Sequence, residues 1–439
     1  MRVLTLALLS CISLAACQGY HAQPLPRAPV YSRLQVDRQS LGGQALPPHP
    51  IHPGQALDLS TIELLAVSHN PQLRAQASAH HLAQAQAIRA GYLPDPVYGY
   101  SHDHPQSGPD SLNAHAQTLD FDLASLLSLG LNRRHTEAQQ KQIDLALLWQ
   151  EWQVLALVRQ QAYQLRADTE LAQLEERAYR LQAQLAAHQA QALSLHAIEA
   201  RSWQSSAAQA ADAEQRWQEA RLQVLSDRQA LLASLGLAPG TPLQLAPLPA
   251  ISLPATQPDL RQRPDLQALQ AAWQSEDIGY RMALLRQFPA LDLGLGQSTD
   301  NTGTSSLGYA VHVPLPVFNG NRPAIKVAEA RRQHIGQLYA QRLTQSQSDI
   351  ENLHQRIGVL QDQENRANLA LQRLSAQARQ AAQLLAARRL NLSSYTRLYG
   401  VILQKRIDLA TLRGRREQEQ LCLIALLGIV PPWEHSNHV

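Results

Sequence analysis

The sequence predicts a mainly α chain with a small β part. Long stretches free of helix breakers predict the helices: residues 131–235 hold no Gly or Pro, and no Pro interrupts 324–430. Short stretches of period-two alternation predict four strands in two hairpins. The same order of elements is written twice, at an offset of about 193 to 195 residues. Composition agrees. Apolar residues make up 45% and aromatics 5% of the 439 residues, while Ala, Leu and Gln dominate. That mixture suits long helices touching through small side chains. A mean hydropathy of -0.27 excludes a bundle of apolar membrane helices. A formal charge of +3 is too mild to argue for nucleic acid as a partner.

Residues 1–16 read as a secretory signal: Arg2, an apolar run over 3–14 too short to span, then small residues. Leu14-Ala15-Ala16-Cys17 resembles a bacterial lipobox, which implies cleavage before Cys17 and lipid (diacylglycerol, palmitate) attachment there. Gln18, not Asp, then implies sorting to the outer membrane. An ordinary signal peptide with an incidental Cys is the alternative. With Cys11 removed and Cys17 acylated, Cys422 is the remaining thiol, so no internal disulfide is expected. Residues 17–54 are Pro-rich and read as an extended tether.

The first half, 55–236, is expected to hold a helix over 57–90, strands within about 95–124, and long helices over 134–195 and 202–235. The second half, 259–428, repeats this. A helix over 259–286 leads to strands within about 289–317, then helices over 324–390 and 394–427. Residues 237–258 link the halves and 429–439 form a tail. At ~1.5 Å per residue the first long helix spans roughly 90 Å, far beyond a globular average. In the strands, Leu119, Phe121 and Leu123 face one way and Asp120 and Asp122 the other; Leu293 and Leu295 oppose Asp292; Tyr309 and Val311 oppose His312. Strands with one apolar face suit an outer-membrane barrel, yet four cannot close one and open edges cannot sit in lipid. Either several chains pool their strands, or the sheet is soluble and packs on helices. Helices of such length favour pooling.

Arg263-Pro264-Asp265-Leu266, Ile278-Gly279, Phe288-Pro289 and the run from Val313 through Phe318-Asn319-Gly320-Asn321-Arg322 follow in an order that resembles the TolC-like outer-membrane efflux family, most closely its lipid-anchored branch. The resemblance covers nearly all of the chain after about residue 55. It implies a homotrimer: four transmembrane strands per chain closing a 12-stranded β-barrel, a hollow α-barrel of long helices, and an equatorial belt from about 236–257 and the tail. It further implies a passive exit duct in the cell outer membrane, reaching into the periplasm to a periplasmic adaptor protein and an inner-membrane pump. Export of protein by a type I system, or a non-channel periplasmic scaffold, are the alternatives. The chain departs from the family pattern at 127–133, where the usual aromatic-Asn/Asp-Gly turn is missing, and at Gly400, where many members place an Asp.

No nucleophile elbow, P-loop or zinc-protease helix is present, so no enzyme activity, cofactor or metal site is expected. In a barrel, Asp120, Asp122, Asp292 and His312 line the lumen, where acidic rings favour cations. His80-His81, His102, His104 and His115 are imidazoles of metal-ligand type, but scattered over surface positions. By resemblance the helical tips contact the adaptor, with Arg201, Arg389, Tyr395, Arg397 and Tyr399 as candidates.

Overall fold

The computed structural model describes residues 22, 24–32, 56–90, 92, 95–107, 112–256, 258–288, 292–313 and 318–428. The signal, Cys17, most of the Pro-rich segment and the 429–439 tail lie outside the described residues. Within them are seven α-helices, a short 3-10 turn and four strands.

The lead-in helix of the first half is broken, not continuous over 57–90. Helix α1 (Leu59–His69) starts at Asp58, whose side chain accepts from Thr61 N, and stops at Asn70. Helix α2 (Pro71–Ala90) follows. Proline at the first helical position has no N–H to orphan and cannot continue the helix before it. Strands β1 (Val97–Asp103) and β2 (Ala114–Asp122) form the first hairpin. β2 runs without a turn into α3 (Leu123–Ser194), 72 residues and ~110 Å long. Asp122 caps α3 by accepting from Ser125 N at 2.9 Å. The helix therefore begins eleven residues earlier than the expected 134. Residues 123–131 are Leu, Ala and Ser with one Gly, followed by Asn132 and Arg133, good enough helix formers once capped. The missing turn motif at 127–133 is missing because there is no turn. α4 (Ala200–Ser234) returns along α3.

The second half opens with a 3-10 turn (Leu260–Gln262) and α5 (Pro264–Leu285). Strands β3 (Asp292–Thr299) and β4 (Ser305–His312) form its hairpin. Here a turn does precede the long helix. Asn321 is left-handed, with φ 58°, and its side chain donates to Ala283 O at 2.7 Å. α6 (Arg322–Ala386) and α7 (Leu392–Leu427) complete the chain. No described helix is long and apolar enough to cross a membrane.

The four strands make one antiparallel sheet in the order β1-β2-β3-β4, so β1 and β4 are its edges. All four were expected, with boundaries displaced by a few residues. α3 packs along α4 on one side and α7 on the other, and α6 packs along α5 and α7. α4 and α6 thus flank the helical layer as β1 and β4 flank the sheet. The main core lies near mid-length, where α1, α3 and α4 bury Ile62, Leu65, Val158, Leu231 and Leu235. The inter-half segment is pinned there. Leu57 N donates to Gln244 O and Ala246 N to Leu57 O, both at 2.8 Å, and Ser32 bridges Leu237. Residues ahead of the first helix thus pair with the inter-half segment at this level.

Candidate functional site: a two-faced sheet and a helical pole

The sheet register sorts side chains by face. One row across it reads Tyr98, Leu119, Leu295 and Tyr309; another reads Phe121, Leu293 and Val311. Between them runs Val97, Asp120, Gly294 and Ala310, and nearest the helices Asp122, Asp292 and His312. Successive residues of a strand point to opposite faces, so the first two rows share one face and the last two the other. Asp120, Asp122, Asp292 and His312 are brought together on one face and at its helix-proximal end. The expectation that these four share a face holds.

That face is also small-sided. Gly99, Gly296 and Gly308 sit in one row with Thr118. A Cβ on Gly294 would lie 2.5 Å from Asp120 Oδ1, and one on Gly99 2.6 Å from Thr118 Oγ1. The glycines leave room for the polar side chains to lie across the sheet. Alternation alone places Gly294 and Gly296 on the face of Asp292; that they make room for Asp120 and Thr118 depends on the register between strands. The opposite face is exposed and apolar: Leu307 is 86% and Tyr309 78% accessible, with Tyr98 and Val311 also exposed. Asp122 has a second role as the α3 cap, and Ser125 Oγ also donates to it.

The helices end at a common level. α7 runs back along α3, with Gly400 against Gln182, Gly414 against Ala167, and Trp152 Nε1 donating to Ala425 O at 2.8 Å. The two hairpin ends, near His196 and Arg388, form one pole. Both turn through a left-handed residue, His196 at φ 54° and Arg388 at φ 57°. Arg201, Arg389 and Arg397 are exposed there. Tyr395 and Tyr399 are half-buried and stacked, ring centroids 6.1 Å apart. All five tip candidates thus lie at the same end. Residues 365–407 carry Arg and Lys but no Asp or Glu, so the pole is basic.

Between sheet and pole, buried charges are paired. Arg263 is fully buried, donates to Asp265 Oδ1 at 3.0 Å and Oδ2 at 2.6 Å, and donates to Leu426 O at 2.9 Å. Arg342 reaches the same carboxylate at 2.7 Å, and both guanidiniums lie on the Trp149 ring. The Arg-Pro-Asp motif is therefore a joint tying α3, α5, α6 and α7 together. Its residues were recognised in sequence; this role was not. Arg159 pairs with Glu63, joining α1 to α3. Between α3 and α4, burial pushes the Asp227 carboxyl of α4 up to about 6, and Asp168 of α3 adds to it. Burial pushes the Cys422 thiol up, and Glu419 adds to that, so the thiol is poorly reactive. Among the described residues no group of three or more His, Cys, Asp or Glu could hold a metal ion.

No protein-family model matches the sequence, and no curated protein matches it. Solved structures do match by fold. The CusC structure, described for folding and transmembrane channel formation, is 17% identical with a TM-score of 0.70, covering 94% of this chain and 100% of that one. The Campylobacter jejuni CmeC outer membrane channel is 15% identical, TM-score 0.69, covering 94% and 95%. The open state of the Neisseria gonorrhoeae MtrE outer membrane channel is 16% identical, TM-score 0.64, covering 94% and 97%. The structural neighbours are TolC-family outer-membrane efflux channels. Identity this low makes the likeness one of fold.

Proposed function

We propose that this chain is the outer-membrane exit duct of a tripartite efflux system. It passively conducts what an inner-membrane pump and a periplasmic adaptor deliver. The observation that carries this reading is the sheet, which has one exposed apolar face, one small polar face, and two unpaired edges. An apolar face turned to lipid and a polar face turned to water is the pattern of a membrane barrel. Unpaired edges cannot stay in hydrocarbon, so copies of the chain must supply each other's partner strands. Three copies give 12 strands, and the repeated halves make the wall quasi-sixfold.

The helices support the same closure. Leu222 and Leu225 on α4 and Leu369 on α6 are exposed apolar residues on the two flanks. Their heights match through the pairs Asp168 with Asp227, Ala167 with Gly414, and Glu364 with Arg413. A head-to-tail ring buries each flank against the next copy. A bismaleimide cross-link between Leu225→Cys and Leu369→Cys should give a ladder ending at three chains. Linkage confined to monomers would contradict the ring.

In this assembly Asp120, Asp122, Asp292 and His312 face the lumen, and the carboxylates favour cations. Bilayer selectivity tests that: Asp120→Asn with Asp292→Asn should move reversal potentials toward anions, and unchanged potentials would sink the idea. The basic pole meets the adaptor, and charge complementarity calls for an acidic adaptor surface. Cys17 anchors the chain to the leaflet on the helical side of the barrel.

A further inference from the structure

Exposed Arg residues occur along all the long described helices. At three of the four places where a strand meets a helix they stand beside an exposed aromatic ring. Between α2 and β1, Arg89 is followed three residues later by Tyr92, 74% exposed. After α5, Arg286 is followed two residues later by Phe288, 72% exposed. Between β4 and α6, Phe318, 100% exposed, precedes Arg322 by four residues. The chain has only 3 Phe, and two of them are spent here on the surface. At the fourth junction β2 runs straight into α3, and Leu126, 49% exposed, is the apolar residue.

Neither half of this pattern is explained inside the chain. Arg89, Arg286 and Arg322 are exposed and make no ion pair among the described residues. Exposed rings of this size lose free energy in water and gain it at an apolar boundary. The junctions lie side by side because the strands are ordered β1-β2-β3-β4, and Asn321 ties the junction between β4 and α6 to the end of α5. They lie at the helical end of the sheet. Two exposed carboxylates share this level, Asp95 and the helix-capping Asp122, the latter on the polar face of the sheet. The basic pole at the far end of the helices differs: its Tyr395 and Tyr399 are half-buried and stack on each other.

We propose that the junctions form a collar that binds the headgroups of an anionic phospholipid leaflet. The rings of Tyr92, Phe288 and Phe318 sit at the glycerol–acyl boundary, as aromatic belts do. Arg89, Arg286 and Arg322 pair with the phosphates just outside it, each adding attraction to a negative surface. This rests on the reading of the sheet as a membrane barrel, and it adds a lipid preference that the reading does not require.

The test uses the full chain purified in detergent as its oligomer. Its thermal dissociation is followed with phosphatidylglycerol, with phosphatidylcholine, and with sn-glycerol 3-phosphate added. Phosphatidylglycerol is expected to raise the midpoint by several degrees, phosphatidylcholine much less, and the soluble headgroup not at all. Arg89→Gln, Arg286→Gln and Arg322→Gln together should weaken phosphatidylglycerol binding about tenfold or more. Equal shifts with the two lipids would overturn the proposal without any variant being needed. A full shift with glycerol phosphate would overturn it in favour of a free-anion site, and an unweakened triple variant would also overturn it. Conductance in phosphatidylcholine bilayers separates the two readings. A conducting wild type without lipid preference leaves the duct and removes the collar. A wild type that never conducts removes the duct.

Discussion

The two halves of this chain close their returning helices by the same joint built from different chemistry. In the first half α4 ends at Gly236, φ 63°, and Asn70 donates through its side-chain amide to Ser234 O at 2.8 Å while accepting from Leu73 N at 2.9 Å. In the second half α7 ends at Gly428, φ 67°, and Arg263 donates to Leu426 O at 2.9 Å. Asn70 and Arg263 each precede the proline that starts the next helix, Pro71 and Pro264. The last carbonyls of a helix have no partner of their own, so both joints answer the same need. Asn does so alone and neutral. Arg brings a charge that must itself be paired, and Asp265, Arg342 and Trp149 are assembled around it. One local requirement thus grew into a four-helix clamp in one half and stayed a simple cap in the other.

The largest expected effect comes from breaking the clamp. Arg263→Ala leaves Leu426 O without its donor and Asp265 with Arg342 as its one remaining partner, and should cost about 3 kcal/mol in thermal or denaturant unfolding. Arg263→Met combined with Asp265→Leu should cost less than the single change, because the charge then left without its partner, Arg342, is 37% exposed and can turn to water. Next are the glycines. Gly236→Ala puts a Cβ 2.3 Å from the His69 carbonyl oxygen, which is backbone, whereas at Gly428 the Cβ meets Arg263 Cγ at 2.8 Å. The left-handed backbone costs about 1–2 kcal/mol at either site, and only Gly236 adds a main-chain clash. Gly236→Ala should therefore be the worse of the two by unfolding midpoint. Asn70→Ala removes a cap and one donor, and about 1–2 kcal/mol is expected.

The smallest effect depends on pH and sharpens the same contrast. In the first half Asp168 and Asp227 oppose each other between the long helix and its return. In the second half Glu364 lies between Arg413 at 3.1 Å and Arg416 at 2.8 Å. The Asp227 carboxyl is raised to about 6 from 3.8, chiefly by burial. Its contribution to stability is then fully present below pH 4 and lost as pH rises through 6. Asp227→Asn should raise the unfolding temperature modestly at pH 7.5 and leave it unchanged or lower at pH 4. An equal shift at both pH values would contradict a raised Asp227 carboxyl.

Helices and strands were legible because their periods are. Leu171, Leu174, Leu181 and Leu185 keep helical spacing through α3, and Leu119 and Phe121 alternate with Asp120 and Asp122 in β2. Boundaries were less legible where a single cap decides. Asp122 starts α3 directly from a strand, so residues 123–133 read as a strand exit although they are helix. Asn70-Pro71 divides what looked like one lead-in helix. The sharing of a face by Asp120, Asp292 and His312 depends on register between strands far apart in sequence, and alternation within each strand was enough to anticipate it. The role of Arg263 was not legible. Trp149, Arg342 and Leu426, which surround it, lie 79 or more residues away in sequence, and no local period connects them.

The account depends most on the idea that the chain closes a water-filled pore only as an assembly. Purified full-length protein added to planar phosphatidylcholine bilayers tests this directly. Discrete, long-lived conductance steps from a fraction that migrates as three chains are predicted, with none from the heat-dissociated monomer. A trimeric fraction that never conducts, or a monomer that conducts alone, would contradict it.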